Sequence, residues 1–375
     1  MDREAQTNLL TRAQRAALDF ADNGAGSRQD SGADLTQALS RNDVPEAVYD
    51  EALVTVRTQG RVVLAFHPER VGESGNTVAE GLATDGAYKN QFETGLSSGS
   101  TSAVPGGRRD EWERRLFGGA YHAPGVESLE RPKYGALSLV RHADGPCPRF
   151  GSSYLVLRPE VSSRCSFTPQ GSQEESAQDH TGTLSSFDPV MVGVADHMQE
   201  HAAPFGVEKL GLREFLDAMA GQLPIVPPRM PADQLGRALD SFVEAQVHGP
   251  IDLKRDVESM VIDSSFHGTP TGHVLRELSS GLGIPLNWHP GFTLEATEFP
   301  QTFRGFPTRR VADRVASGGV VNAPILGAGQ NDFVRNPGGW GEFGTKSEVL
   351  TSFRRVWHFL VLSGRPSPQW PEVSR

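Results

Sequence analysis

FVEAQVHG, residues 242–249, is the stretch on which the fold reading turns. As a strand its side chains alternate between faces, so Glu244, Gln246 and His248 point one way and Val243, Ala245 and Val247 the other. The apolar side asks for a core. The polar side has two readings that pattern alone leaves open: a half-buried edge strand with a wet face, or a rigid platform for an acid flanked at spacing two by an amide. Working outward, GPIDLKRD separates this stretch from a second strand candidate, VESMVID (257–263). Upstream, the β-branched runs RVVLAFHP (61–68), YGALSLV (134–140) and SSYLVLRPEV (152–161) read as further strands.

Helices flank and interrupt these runs. Leu9, Leu10, Ala13, Ala16, Ala17 and Phe20 fall near helical spacing, and a second amphipathic stretch covers about 46–56. EWERRLF (111–117) reads as a short helix, and others are expected at 211–220, 232–240, 271–282 and 348–363. The Gly/Ser/Asp-rich 22–33 and the polar 168–184 read as loops, the latter as a mobile one. Strands gathered in the middle of a helical chain predict an α+β fold. The expected division is a helical region over 1–58, a strand-bearing domain over 59–305 with a helical insertion at about 190–240, and an extension over 306–375.

Totals exclude several classes. Thirty-six basic against 46 acidic residues give a net charge of −10, without the dense basic run that phosphate-backbone binding needs, so no nucleic-acid partner is expected. The chain has no run of about 18 apolar residues, so no membrane span is expected. MDREAQTNLL lacks the basic start and apolar core of a secretory signal. The expected location is a bacterial cytoplasm or, by a specialised secretion route, the cytosol of a target cell. Cys147 and Cys165 form neither a disulfide scaffold nor a CxxC pair, which indicates a reducing compartment.

Most short motifs fail on context. Gly95-Leu96-Ser97-Ser98-Gly99 matches G-x-S-x-G, but the polar YKNQFET before it and STSAVPGG after it supply neither the buried strand nor the helix of a nucleophile elbow. His197 and His201 share helical spacing without a glutamate after the first or a third ligand, so two solvent-facing histidines and no metal are expected. Neither a GxxxxGK[ST] loop nor a GxGxxG fingerprint follows a strand. Glu244 remains the best candidate. A carboxylate held on a strand suits a reaction through an oxocarbenium-like cation, since it can hold a ribose hydroxyl and stabilise developing charge.

Several segments taken together resemble PARP-like ADP-ribosyltransferases: VVLAFHP with His67, QFETGLSSGSTSA (91–103), LFGGAYH (116–122), RPKYGAL (131–137), YLVLRPEV (154–161) and FVEAQVHG. More narrowly, the string resembles a bacterial family long catalogued as a domain of unknown function, which includes effectors that ADP-ribosylate a threonine of ubiquitin. The resemblance covers roughly residues 60–305. It implies a split β-sheet core, NAD as substrate, no metal, and transfer of ADP-ribose to a protein hydroxyl, with ubiquitin as a possible acceptor of a monomeric enzyme. It assigns Glu244 as the catalytic glutamate; Gln246 offers an amide beside it, and Asp256, Asp110 or Asp85 would have to supply an assisting acid, with Asp256 taken as the catalytic candidate. His67, Gln91, Thr94, Gly95 and Ser98 would bind the dinucleotide, and either Tyr134 or Tyr121 would face the nicotinamide. Ser100-Thr101-Ser102 resembles an element of the toxin branch. The chain departs from the family in having Phe242 two residues before the glutamate and Gly171 where an acid is expected. Rival readings are an NAD glycohydrolase, a degenerate binding module, and a serine hydrolase at Ser97.

Overall fold

The structure is a computed structural model that describes residues 3–23, 31–72, 74–96, 103–226 and 238–370. Four helices open the chain: α1 (Arg3–Asn8), α2 (Arg12–Asn23), α3 (Ser31–Arg41) and α4 (Glu46–Gln59). Strand β1 (Val62–Phe66), helix α5 (Val78–Asp85), the short β2 (Ala87–Tyr88), and helices α6 (Gln91–Thr94) and α7 (Arg108–Leu116) follow. Next come β3 (Lys133–Leu137), β4 (Ser153–Leu157), β5 (Cys165–Pro169), β6 (Gly182–Thr183), α8 (Asp188–Glu200) and α9 (Leu212–Gly221). The chain continues through β7 (Val243–Val247), β8 (Ile251–Asp252), α10 (Leu253–Asp256), β9 (Val257–Asp263), α11 (Pro270–Leu282) and β10 (Leu286–His289). It ends with β11 (Thr293–Glu295), α12 (Thr308–Val315), β12 (Val320–Asn322), α13 (Ala323–Arg335) and α14 (Lys346–Ser363).

Among the described residues, eight strands form one sheet in the order β10-β9-β4-β1-β3-β7-β5-β6, every pair antiparallel except β9–β10. The fold is therefore α+β, as the strand pattern predicts. Where a split sheet was expected, the β3–β7 pair carries the hydrogen bonding through without a break. Strand β7 lies inside the sheet with Glu244 opposite Ala136 on β3 and Thr168 on β5. The edge-strand reading with a wet face is thus corrected. Glu244, Gln246 and His248 are all buried: Ser172 reaches Glu244, and the Phe117 and Tyr121 rings lie against His248, on the side that the pattern alone leaves open.

Strand ends fall where proline and register dictate. The 134–140 run pairs only to Leu137, and the 152–161 run only to Leu157, since Pro159 starts a 3₁₀ turn over Pro159–Arg164. The 168–184 segment is not the mobile loop expected. It holds the end of β5, a 3₁₀ turn and β6, and its Thr168, Ser172, Thr181 and Thr183 are buried and hydrogen-bonded. Its polarity serves buried partners instead of water. Of the 22–33 loop, α2 takes the first two residues and α3 the last three, while 24–30 lie outside the described residues. The helix expected at 232–240 lies mostly outside them too, and 238–240 form a turn.

One hydrophobic cluster runs from Leu35 through Val243, Ala245 and Val247 to Val361, so the N-terminal and C-terminal helices share the core of the sheet. Each large apolar side chain buried there contributes about 1.5–3 kcal/mol. No helix among the described residues is long and apolar enough to cross a membrane. Leu64, on the interior strand β1, is fully buried. Leu64→Ala should lower the unfolding free energy by about 2–5 kcal/mol in urea titrations, and a loss below about 1 kcal/mol would show that the site is not tightly packed.

Candidate functional site

Glu244 is held from two directions. Its Oε1 accepts from the Gln246 side-chain amide at 2.9 Å and from the Ser172 backbone N–H at 3.1 Å. Its Oε2 has no hydrogen-bond partner among the described residues. Gln246 is fixed in turn: its amide donates to Thr168 Oγ1 at 3.1 Å, and its carbonyl accepts from Ser166 Oγ at 2.7 Å. Ser166 has one proton and gives it to Gln246, so at 3.1 Å His248 Nε2 must donate to Ser166, leaving Nδ1 to accept from the Tyr121 hydroxyl. Burial, with help from Arg164 and Lys133, pushes His248 down to about 3, so the ring is neutral and can play both roles. The buried face of β7 thus carries a one-way chain of donors, Tyr121 to His248 to Ser166 to Gln246, ending on Glu244.

The second hold depends on a glycine. Gly171 has φ +110°, and a Cβ there would stand 2.7 Å from Gln173 Oε1. The acid that the resemblance leads one to expect at 171 is excluded by the backbone turn that aims the Ser172 N–H at Glu244. Ser172 Oγ accepts from Arg109 Nη1 at 2.9 Å. The Arg109 guanidinium lies 4.1 Å over the Tyr134 ring. The Tyr134 hydroxyl donates to Glu113 Oε1 at 2.8 Å, and Arg131 donates to Glu113 Oε2 at 2.7 Å. Burial raises Glu113 to about 7 against the opposing pull of Arg131, Tyr134 and Arg109. Arg109 and Glu113 share one face of α7, and their spacing of four was a readable signal that the sequence reading passed over.

Glu244, Arg109 and Tyr134 of this set line an open cavity of about 270 Å³ whose other lining includes much of the 65–96 segment. Glu244, His67, Gln91, Thr94, Tyr134 and Asp85 all line it, as do Arg109, Arg70, Cys147 and Phe150, which were not anticipated. Helix α6 brings Gln91 and Thr94 there through a capping box: Asn90 Oδ1 accepts from the backbone of Phe92 and Glu93, and Glu93 Oε2 accepts from Asn90 N–H. Gly95 ends that helix in the left-handed region at φ +64° instead of lining the cavity. Both ring nitrogens of His67 and Gln91 Oε1 are buried without a hydrogen-bond partner among the described residues. Burial pushes His67 well below its ordinary value, so it is neutral, and its Nδ1 stands 3.5 Å from Glu69 Oε1.

Other expected residues lie elsewhere. Tyr121 is 2% exposed behind the cavity, stacked on His248, and does not face the cavity. Gln246 grips Glu244 without lining the space. Asp256 caps the 252–256 turn and pairs with Arg164 at 3.3 Å and Arg255 at 2.6 Å, so it is a structural acid and not Glu244's helper. Asp110 pairs with Arg131 at 2.7 Å and His122 at 2.9 Å, and Asp85 lines the cavity with Lys89 at 2.7 Å. Ser97, Ser98 and the 100–102 triplet lie outside the described residues. His197 is not solvent-facing: it is buried, with Ser241 on Nε2 and Gln170 on Nδ1. Among the described residues no group of three His, Cys, Asp or Glu side chains is placed to hold a metal.

A family model described as a protein of unknown function, DUF3626, matches residues 61–362. The chain belongs to the DUF3626 family. No curated protein matches it. In this DUF3626 chain the matched span takes in every cavity residue named above, α12, α13 and all but the last residue of α14.

Glu113 allows a direct check of the site's electrostatics. Its folded-state value of about 7 exceeds its ordinary 4.5, so the folded chain keeps the proton longer than the unfolded one. Stability therefore falls as pH rises from about 4.5 to about 7. Relative to Glu113→Gln, which cannot ionise, the native chain should lose up to about 3 kcal/mol of unfolding free energy across that window. Parallel pH profiles for the two proteins would remove the assignment.

Proposed function

We propose that this protein is a mono-ADP-ribosyltransferase of the PARP-like kind, splitting NAD and passing ADP-ribose to a protein hydroxyl. One observation carries the reading: a buried glutamate, gripped at Oε1 by two donors on an interior strand, presents an unpartnered Oε2 at the floor of an open cavity. The resemblance of the strand, loop and glutamate segments supplies the reaction class, and the neutral His67 and the Gln91 side chain, whose carbonyl has no hydrogen-bond partner among the described residues, line the same cavity.

In this mechanism Glu244 Oε2 accepts from the 2′-hydroxyl of the nicotinamide ribose. The glycosidic bond from C1′ to the nicotinamide nitrogen breaks, and its electron pair leaves with nicotinamide. The carboxylate stabilises the resulting cation in a site of low dielectric, where such an interaction is strong. The acceptor oxygen then bonds to C1′, and its proton passes to Glu244 or to water. Gln246 and Ser172 position Glu244 without touching substrate. Tyr134 stacks one face on Arg109, leaving at most its other face and the Phe150 ring for the nicotinamide. A threonine of ubiquitin is the acceptor that the resemblance suggests.

Labelled NAD incubated with ubiquitin should add one ADP-ribose to ubiquitin, read by intact mass. Glu244→Gln should reduce nicotinamide release by about 10²- to 10³-fold with the fold intact by circular dichroism. Unchanged release would end the assignment, and release without modified protein would point to water as acceptor. Gln246→Leu should lower kcat by about tenfold to a hundredfold with little change in KM, since it loosens a positioned group while leaving the binding wall in place. A change confined to KM would show that Gln246 acts on binding instead.

A further inference from the structure

Helix α14 gathers a second set of charges. The Trp357 indole N–H donates to Pro148 O at 2.9 Å, which seats the helix on the 148–150 turn. That brings Arg354 and Arg355 within electrostatic reach of Arg149. Arg304 arrives from the 303–306 hairpin, docked through Phe303 and Phe359 with ring centroids 5.4 Å apart. Asp240 pairs with Arg149 at 3.2 Å and with both terminal nitrogens of Arg304. Among the described residues it is the carboxylate ion-paired to this group, and Glu244 acts on Arg149 from farther off, so four guanidinium groups outnumber the carboxylates that face them.

The surplus is unusual in its setting. The chain as a whole carries −10, so the excess of arginine here is local. The Nε atoms of Arg149, Arg354 and Arg355 are buried and have no hydrogen-bond partner among the described residues. Buried donors left unsatisfied, with like charges crowded together, cost stability unless an acceptor completes them. Burial, with Arg355 and Arg149 beside it, lowers Arg354 to about 10, and burial together with these arginines pushes His358 down to about 2, so His358 adds no charge. Arg70, on the cavity wall with its own Nε buried and unpartnered, feels Arg354 and links the group to the cavity rim.

We propose that Arg149, Arg304, Arg354 and Arg355 form a binding site for a compact, multiply charged phosphate, most simply a diphosphate group. Guanidinium forks match phosphate oxygens in pairs. A single carboxylate would offset one of the surplus charges, whereas a diphosphate offsets all of them. A long polyanion is disfavoured by the acidity of the rest of the chain. The site does not depend on the ADP-ribosyl-transfer reading, since it needs only binding.

Calorimetric titration of the whole chain without NAD, at ionic strength matched with sodium chloride, tests this. Inorganic diphosphate should bind saturably, and Arg354→Gln with Arg355→Gln should weaken it by about tenfold or more. Asp240→Asn, which removes the competing carboxylate, should tighten it by about threefold, a change in the opposite direction that no misfolding would produce. A nucleoside diphosphate binding more tightly than diphosphate would identify the group as carried on a nucleotide, and equal binding would identify the free anion. Heat no greater than that of added chloride, or Asp240→Asn binding no tighter than the native chain, would overturn the proposal.

Discussion

Glu244 is buried in the middle of a sheet, and an ionised carboxylate taken out of water loses several kcal/mol of hydration unless donors replace it. Much of the local architecture answers that cost. Gln246 donates along the same strand, Ser172 donates from the segment that crosses the end of β5, and Arg109 adds a favourable charge nearby. Strand β5 supplies Thr168 and Ser166 to hold Gln246, so the register of β5 on β7 is part of the acid's support. A slip of one residue would point all of these side chains away from the carboxylate. The sheet's hydrogen-bond register and the charge at its centre are therefore one constraint.

The donor chain behind Glu244 has a direction because each member has a limited supply of protons. Ser166 gives its only proton to Gln246, which forces the His248 tautomer, which in turn makes Tyr121 a donor. A protonated His248 would have no lone pair for Tyr121. The low value that burial imposes on the ring keeps the chain intact across the working range of pH. Tyr121 was one of two tyrosines expected to face a nicotinamide, and the structure gives it the other role, as the far anchor of that chain.

Much of the strand framework was legible. Alternation in FVEAQVHG gave the correct face for Glu244, Gln246 and His248, and β-branched runs marked β1, β3, β4 and β9. What alternation cannot reveal is what lies over a polar face. Thr168, Ser172 and Thr181 read as loop because such residues usually face water, and here they bond to one another and to a buried acid. Asp256 was one of three acids that would stand in for the one missing at 171. Besides the adjacent Arg255, its partners Arg164 and Gln6 come from distant segments that no local pattern connects to it. Gly171 read as a missing acid because side-chain identity was compared without the backbone conformation that rules out a side chain there.

Arg109 shows why the missing signals matter for chemistry. Its guanidinium does two things at once: it stacks on the Tyr134 ring and donates to Ser172, whose backbone holds Glu244. Stacking needs a planar cation, and the hydrogen bond needs a donor in that plane's edge, so a lysine of equal charge could satisfy one demand but not both. The same cation also stands near Glu113, whose carboxyl is balanced close to neutrality of charge by burial on one side and Arg131 on the other. Through one arginine and one backbone N–H, the support of Glu244 therefore runs on to the buried Glu113–Arg131 pair.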